Sequence, residues 1–186
     1  MWVVLSPFGL EAKRTRTLKI MARNNMTVDV KDLYEEISSD EGKVLHSYLC
    51  SELHATIGIG HKILDTDPEK DLKIFGINWE TVPDDQYITE DRCYILFQED
   101  VQMAINGCMN IYNNWEDLPQ EMQHVLVNMC FQLGQRGLSN FKNFKAAVED
   151  QNWALAAVEM MDSRWAGQTP GRAERLSTRV ARLSGK

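Results

Sequence analysis

No stretch of this 186-residue sequence approaches the ~18 to 20 consecutive uncharged apolar residues that a membrane-spanning helix needs, so a helical passage through a bilayer is not expected. Cysteine is scarce. Cys50, Cys93, Cys108 and Cys130 are too few to staple a chain of this length. Cys93 and Cys108 fall on one predicted helix, about 22 Å apart at ~1.5 Å per residue, and cannot bridge each other. Reduced thiols are therefore expected. The first ten residues lack a basic leader, and Pro7 interrupts their apolar run, so no secretory signal is expected. Internal repeats and low-complexity segments are missing as well.

Positive charge is missing from most of the chain. Twenty Lys and Arg against twenty-seven Asp and Glu give −7, unevenly placed. Residues 1–26 carry five basic and one acidic side chain, and residues 164–186 carry six and one. The middle carries nine and twenty-five. A protein that binds a polyanion normally shows a basic face over its body, so nucleic-acid binding is not expected.

What is present is enough apolar content, 44%, for one soluble globular domain. Residues 1–26 show no clear period and read as an extension, or as sequence upstream of a true start at Met21 or Met26. From Thr27, a plausible cap, Val30, Leu33, Tyr34 and Ile37 recur at helical spacing, with Gly42 as a stop. Residues 43–64, punctuated by Gly58 and Gly60, read as a short antiparallel sheet. Residues 65–88 are acidic and turn-rich and read as a loop with a short helix. Thr89 then opens a long helix with Phe97, Val101, Ala104, Cys108 and Tyr112 on one stripe. After Pro119 an almost wholly apolar helix runs to a break at Gly134 and Gly137. Phe141 to Val148, Trp153 to Met161 and a basic amphipathic segment from Arg172 to Leu183 complete the helices. The pattern predicts an α+β fold in which a small sheet lobe (27–88) is joined by a long helix (89–112) to a helical lobe (113–186).

The informative spacing is Glu41, eight residues, Cys50, five residues, Thr56, followed by Ile57-Gly58-Ile59-Gly60-His61. A second block agrees: Asn128-Met129-Cys130-Phe131-Gln132-Leu133-Gly134, then Ser163-Arg164-Trp165, Gln168-Thr169-Pro170 and Arg172-Ala173. In these two blocks the chain resembles the phage-type lysozymes, the muramidases of T-even and many other bacteriophages, over roughly residues 30 to 176. The resemblance implies a lysozyme-like fold with Glu41, Cys50 and Thr56 as catalytic residues. It implies Phe131, Gln132, Arg164 and Trp165 as cleft residues that hold sugars or peptide stem. Arg172 is implied to face Glu41, and His61 with Asp100 to form an ion bridge between sheet and long helix. It further implies a monomer acting on peptidoglycan, without cofactor, metal, nucleic acid or membrane insertion. The expected setting is a phage or prophage product. Such a product stays in the host bacterial cytoplasm until it reaches the periplasm or wall, or is carried on a virion through residues 1–26.

The chemistry of these residues fits that reading. Hydrolysis of a glycosidic bond needs a carboxylic acid that still holds its proton, and a group on the opposite sugar face to handle water. At a helix C-terminus the macrodipole disfavours an ionised Glu41, while Arg172 pulls the other way, so only a modest net rise is expected. Cys50 stands where many relatives carry Asp. A neutral thiol is a weak base and beside Glu41 gains little acidity, so water positioning rather than charge is its expected part.

Blander readings exist for each residue. Glu41 alone could be a solvated helix end, Cys50 a half-buried hydrophobe and Thr56 a strand residue. Trp153 reads as core. The Gly58 and Gly60 pair has no third Gly and no Lys-Ser/Thr, so a phosphate loop is not indicated. His46, Cys50, His54 and His61 could form a zinc-like set, although their spacing matches no tight signature. A catalytically weak peptidoglycan-binding or virion module is the rival function, and a non-hydrolytic transglycosylase a rival within the enzyme class. A cationic patch around Arg164, Arg172, Arg175, Arg179 and Arg182 is expected to carry any attraction to the anionic wall.

Overall fold

The computed structural model describes residues 28–49, 55–63 and 88–185, with the side chains of Leu49 and Ala55 outside that description. Expectations for Cys50, His54, the 1–26 extension and most of the acidic 65–88 segment lie outside the described residues.

Helix α1 spans Val30–Glu41. Its cap is Asp29 and not Thr27: Asp29 Oδ1 accepts from the backbone N–H of Lys31 at 2.8 Å and of Asp32 at 3.2 Å. An Asp side chain reaches these orphan donors and places negative charge at the positive end of the helix. Leu33 and Ile37, one turn apart, are fully buried. The stop at Gly42 holds, since Gly42 takes φ 78° and its N–H bonds the carbonyl of Ser38 at 3.0 Å. A residue with a Cβ adopts that backbone only with strain.

The sheet follows at once as β1 (Val44–Leu49), β2 (Ala55–Gly58) and β3 (His61–Lys62), antiparallel in that order. Tyr48 pairs with Thr56 and Ile57 with His61, and the β1–β2 register slips between Val44 and Tyr48. Ile57, Ile59 and Ile63 are buried.

Helix α2 (Glu90–Ile111) is capped by Thr89, whose Oγ1 accepts from Arg92 N–H at 3.3 Å. Its 22 residues give a rod about 33 Å long. The expected stripe of Phe97, Val101, Ala104 and Cys108 is buried, as is Tyr112 just beyond the helix end. The helical lobe then comprises a 3-10 turn (Trp115–Asp117), α3 (Gln120–Ser139), α4 (Lys142–Glu149), α5 (Trp153–Met161), α6 (Arg164–Gln168), α7 (Pro170–Ala181) and a last 3-10 turn (Arg182–Gly185).

Three expectations are adjusted. Within α3 only Gly134 leaves helical geometry, at φ 68° and ψ 165°, whereas Gly137 stays helical. The short helix α6 was not anticipated, because five residues are too few to display a period. The last helix starts at Pro170, two residues before Arg172, since proline is preorganised for the first helical turn.

Aromatic rings run through the centre: Tyr34 of α1 stacks edge-on against Phe97 of α2 at 5.2 Å, and Phe97 packs on Phe131 of α3 at 5.6 Å. Each such pair adds about 0.5–1.5 kcal/mol beyond area burial. Trp153 is half-buried against the core. The α+β architecture with its long central helix is thus present, and α1 is tied to α2, α3 and α7 as well as running directly into the sheet.

Candidate active site

Glu41 is the last residue of α1, so its carboxylate leaves the helix where the chain turns into the sheet. The side chain is 23% exposed and is drawn onto Arg172 rather than into solvent. Arg172 Nη1 donates to Glu41 Oε1 at 2.5 Å. The rest of that guanidinium is also committed: Nε donates to Asn128 Oδ1 at 2.8 Å and Nη2 to the Asn128 carbonyl at 2.9 Å. Arg172 is itself buried, so these acceptors fix one orientation of the fork.

Asn128 is the junction. Its Nδ2 donates to Glu36 Oε1 at 3.0 Å and to Asp40 Oδ2 at 3.1 Å. Both carboxylates lie on the same face of α1, four residues apart. Arg175 Nη2 reaches Asp40 Oδ2 at 2.7 Å, and Arg179 Nη1 reaches both oxygens of Glu36 at 2.8 Å. Arg179 Nε also donates to Glu121 at 2.5 Å. This corrects the expected cationic patch: Arg172, Arg175 and Arg179 are held by carboxylates of α1 and α3, and do not form a free positive surface.

Thr56 is 4% exposed on β2, opposite Tyr48 and Lys62. Cys50 follows the last residue of β1 and lies outside the described residues, so its approach to Glu41 stays an expectation. His61 and Asp100 are joined: His61 Nδ1 stands 3.0 and 2.9 Å from the two Asp100 oxygens, linking β3 to α2.

Gln132 and Trp165 also meet, with Trp165 Nε1 donating to Gln132 Oε1 at 2.7 Å. Phe141 abuts Trp165 at 6.3 Å between ring centres. Arg164 and Trp165 line a cavity of about 440 Å³ that Phe141, Asn143, Glu159 and Asp162 also border. Phe131, in contrast, turns its ring onto Phe97. Among the described residues no three metal-ligating side chains cluster, but Cys50 and His54 of the zinc-like alternative are not among them.

Asp40 and Glu36 are functional candidates that sequence reading assigned no part, and Asn128 stood there only as a residue of the second block. Glu36 and Asp40 carry the one available signal, an acidic pair at i and i+4 on the helix that ends in Glu41, matched by Arg172, Arg175 and Arg179 spaced along another helix.

Comparison with known proteins agrees with the resemblance. Residues 38–182 match the family described as "Phage lysozyme". The chain is 34% identical over 162 residues to "Probable T4-type lysozyme 2" of Dictyostelium discoideum, covering 79% of this chain and 92% of that protein. It is 29% identical over 164 residues to "Probable T4-type lysozyme 1" of the same organism, covering 81% and 92%. It is also 31% identical over 152 residues to "Pre-baseplate central spike protein Gp5" of Enterobacteria phage T4, covering 77% of this chain but 26% of that longer protein.

Proposed function

Because the chain belongs to the phage lysozyme family, we propose that it is an endo-acting muramidase, hydrolysing the β-1,4 bond between N-acetylmuramic acid and N-acetylglucosamine of peptidoglycan. The observation that carries this reading is the seating of Glu41: a carboxyl at a helix C-terminus, turned inward and oriented by one buried guanidinium. A general acid needs such a fixed direction toward the leaving oxygen.

In the proposed step Glu41 gives its proton to the glycosidic oxygen as the bond to the anomeric carbon breaks. A water held by Thr56 and Cys50 forms the new bond to that carbon from the opposite face, with inversion, and its surplus proton returns through solvent to recharge the acid. Phe131, Gln132, Arg164 and Trp165 hold the sugar or its peptide stem. His61 with Asp100 fixes the sheet to α2, and Arg172 fixes Glu41.

The enzyme works without a cofactor and as a monomer, on wall reached from the cytoplasm of a bacterial host or from a virion. Residues 1–26 are the candidate attachment to such an assembly, a reading supported by the likeness to a phage spike protein. Both a phage source and a prophage source fit it.

Clearing of chloroform-treated Gram-negative cells by the native protein, with Glu41→Gln as control, tests the function. The variant should lose at least ~100-fold in rate. Equal clearing by both would eliminate the enzyme in favour of a wall-binding module. Cys50→Ser should slow but not abolish turnover, and Cys50→Asp should be tolerated; complete loss in Cys50→Asp would refute the assigned part of Cys50. Released fragments should end in reducing sugars, whereas anhydro ends would reveal a transglycosylase.

A further inference from the structure

The ion pairs behind Glu41 form one continuous array across α1, α3 and α7. Its carboxylates are Glu36, Asp40, Glu41 and Glu121, and its guanidiniums are Arg172, Arg175 and Arg179. With every member ionised the array holds one carboxylate in excess. It is balanced when Glu41 carries a proton. Other charged groups flank it and stay unchanged in the variants below: Asp32 lies one turn before Glu36 on α1, and Lys43, beyond the helix end, is paired with Glu90 at 2.6 Å. His124 of α3 accepts a hydrogen bond from Asp29 N–H through an unprotonated Nε2 at 2.9 Å, and burial, helped by Arg179, holds its pKa down.

Glu36 is the distinctive member. Both its oxygens accept from Arg179 Nη1, and its Oε1 also accepts from Arg175 Nη2 and Asn128 Nδ2. The Nδ2 contact sets which end of the Asn128 amide faces Arg172, because an amide that gives its NH2 to Glu36 and Asp40 must turn its oxygen to Arg172 Nε. Glu36 therefore reaches Glu41 in two ways, through Asn128 and Arg172 and through its charge. Its own counterion, Arg179, is held on the far side by Glu121.

We propose that Glu36 and Arg179 are positioning residues for the general acid, setting through the Asn128–Arg172 relay and the charge balance of the array how firmly Glu41 keeps its proton. The inference rests on the muramidase reading above and assigns no new substrate.

The sign follows from electrostatics. A nearby negative charge disfavours a second one, so removing the Glu36 charge should make Glu41 give up its proton at lower pH; removing the Arg179 charge should do the reverse. Charges at this kind of separation in a half-buried array act with a strength of about half a pH unit.

The test is the pH profile of cell clearing at constant ionic strength. Glu36→Gln should move the alkaline limb down by about half a pH unit and Arg179→Gln should move it up by a similar amount. The double variant, again one carboxylate in excess, should return near the native position. Glu121→Gln, at the exposed end, should move the limb in the Glu36→Gln direction by less, and it keeps the test alive if a buried variant folds poorly. A purely structural role would lower the melting temperature and the height of the profile while leaving its limbs in place. Unmoved limbs, or limbs that move the same way in the two single variants, overturn the inference while leaving the muramidase reading intact. A native protein that clears no cells overturns that reading, and this inference with it.

Discussion

The backbone N–H of Asp29 donates to Nε2 of His124 at 2.9 Å, across 95 positions of sequence. This bond ties the cap of α1 to the middle of the helical lobe, and it requires that His124 be neutral at that nitrogen. Burial lowers the His124 pKa, and Arg179 adds to the effect, against smaller opposing contributions from Glu121, Glu36 and Asp32.

A pH dependence of stability follows. The folded pKa lies below the unfolded value of ~6.5, so the unfolded chain binds more protons in the window between them. The stability due to neutral His124 is complete above ~6.5 and is lost as pH falls through the folded value. Denaturant unfolding from pH 8 down to pH 5 should show a steeper decline for the native protein than for His124→Gln, which cannot be protonated. Identical slopes would show that His124 contributes nothing to the decline.

Tyr112 presents a different cost. The residue is fully buried and its hydroxyl finds no hydrogen-bond partner among the described residues. Burial also drives its pKa far above the ordinary tyrosine value. An unsatisfied buried hydroxyl costs about 1–3 kcal/mol, so Tyr112→Phe should be neutral or stabilising by up to about 1 kcal/mol in a thermal melt. A clear loss would mean that the hydroxyl has a partner after all.

Gln132 accepts the Trp165 indole N–H beside the cavity that Trp165 lines. Gln132→Ala leaves that donor on a nearly buried ring without its acceptor, at a cost of about 1–3 kcal/mol. Under the proposed role of Trp165, the Michaelis constant for soluble wall fragments should rise more than the turnover number falls. Steady-state kinetics on such fragments measures both.

Salt should not weaken the enzyme. The body is acidic, and Arg172, Arg175 and Arg179 are occupied by carboxylates, so α7 offers little unpaired positive charge to an anionic wall. Clearing rates from low ionic strength to moderate salt should stay level or rise as repulsion is screened. Strong inhibition over that range would show a cationic docking surface at work.

Much of the architecture was legible because it is periodic. The buried stripe of α2, the stop at Gly42 and the bounds of α5 follow from apolar spacing and from residues with one conformational use. The Thr27 cap misled because Asp29, two residues on, is as good an acceptor, and capping geometry depends on where the first turn actually closes. Gly137 misled because glycine permits a break without compelling one. In the site, Glu41 with Arg172, His61 with Asp100 and Gln132 with Trp165 were all paired in advance or named on one wall. Asn128, Asp40 and Glu36 were not singled out, since their part arises from three helices meeting and no local spacing records that. The cationic patch was misjudged for the same reason: sequence counts charges along the chain, whereas the carboxylates of α1 that α7 meets lie more than 100 residues away.

The placement of α1 has a mechanical corollary. Its C-terminal end is moored to α7 through Arg172 and Arg175, while the sheet that begins three residues later at Val44 is tied to α2 through His61 and Asp100. In the proposed reaction the proton donor Glu41 and the water-positioning Thr56 therefore belong to separately anchored segments, joined through Gly42 and Lys43.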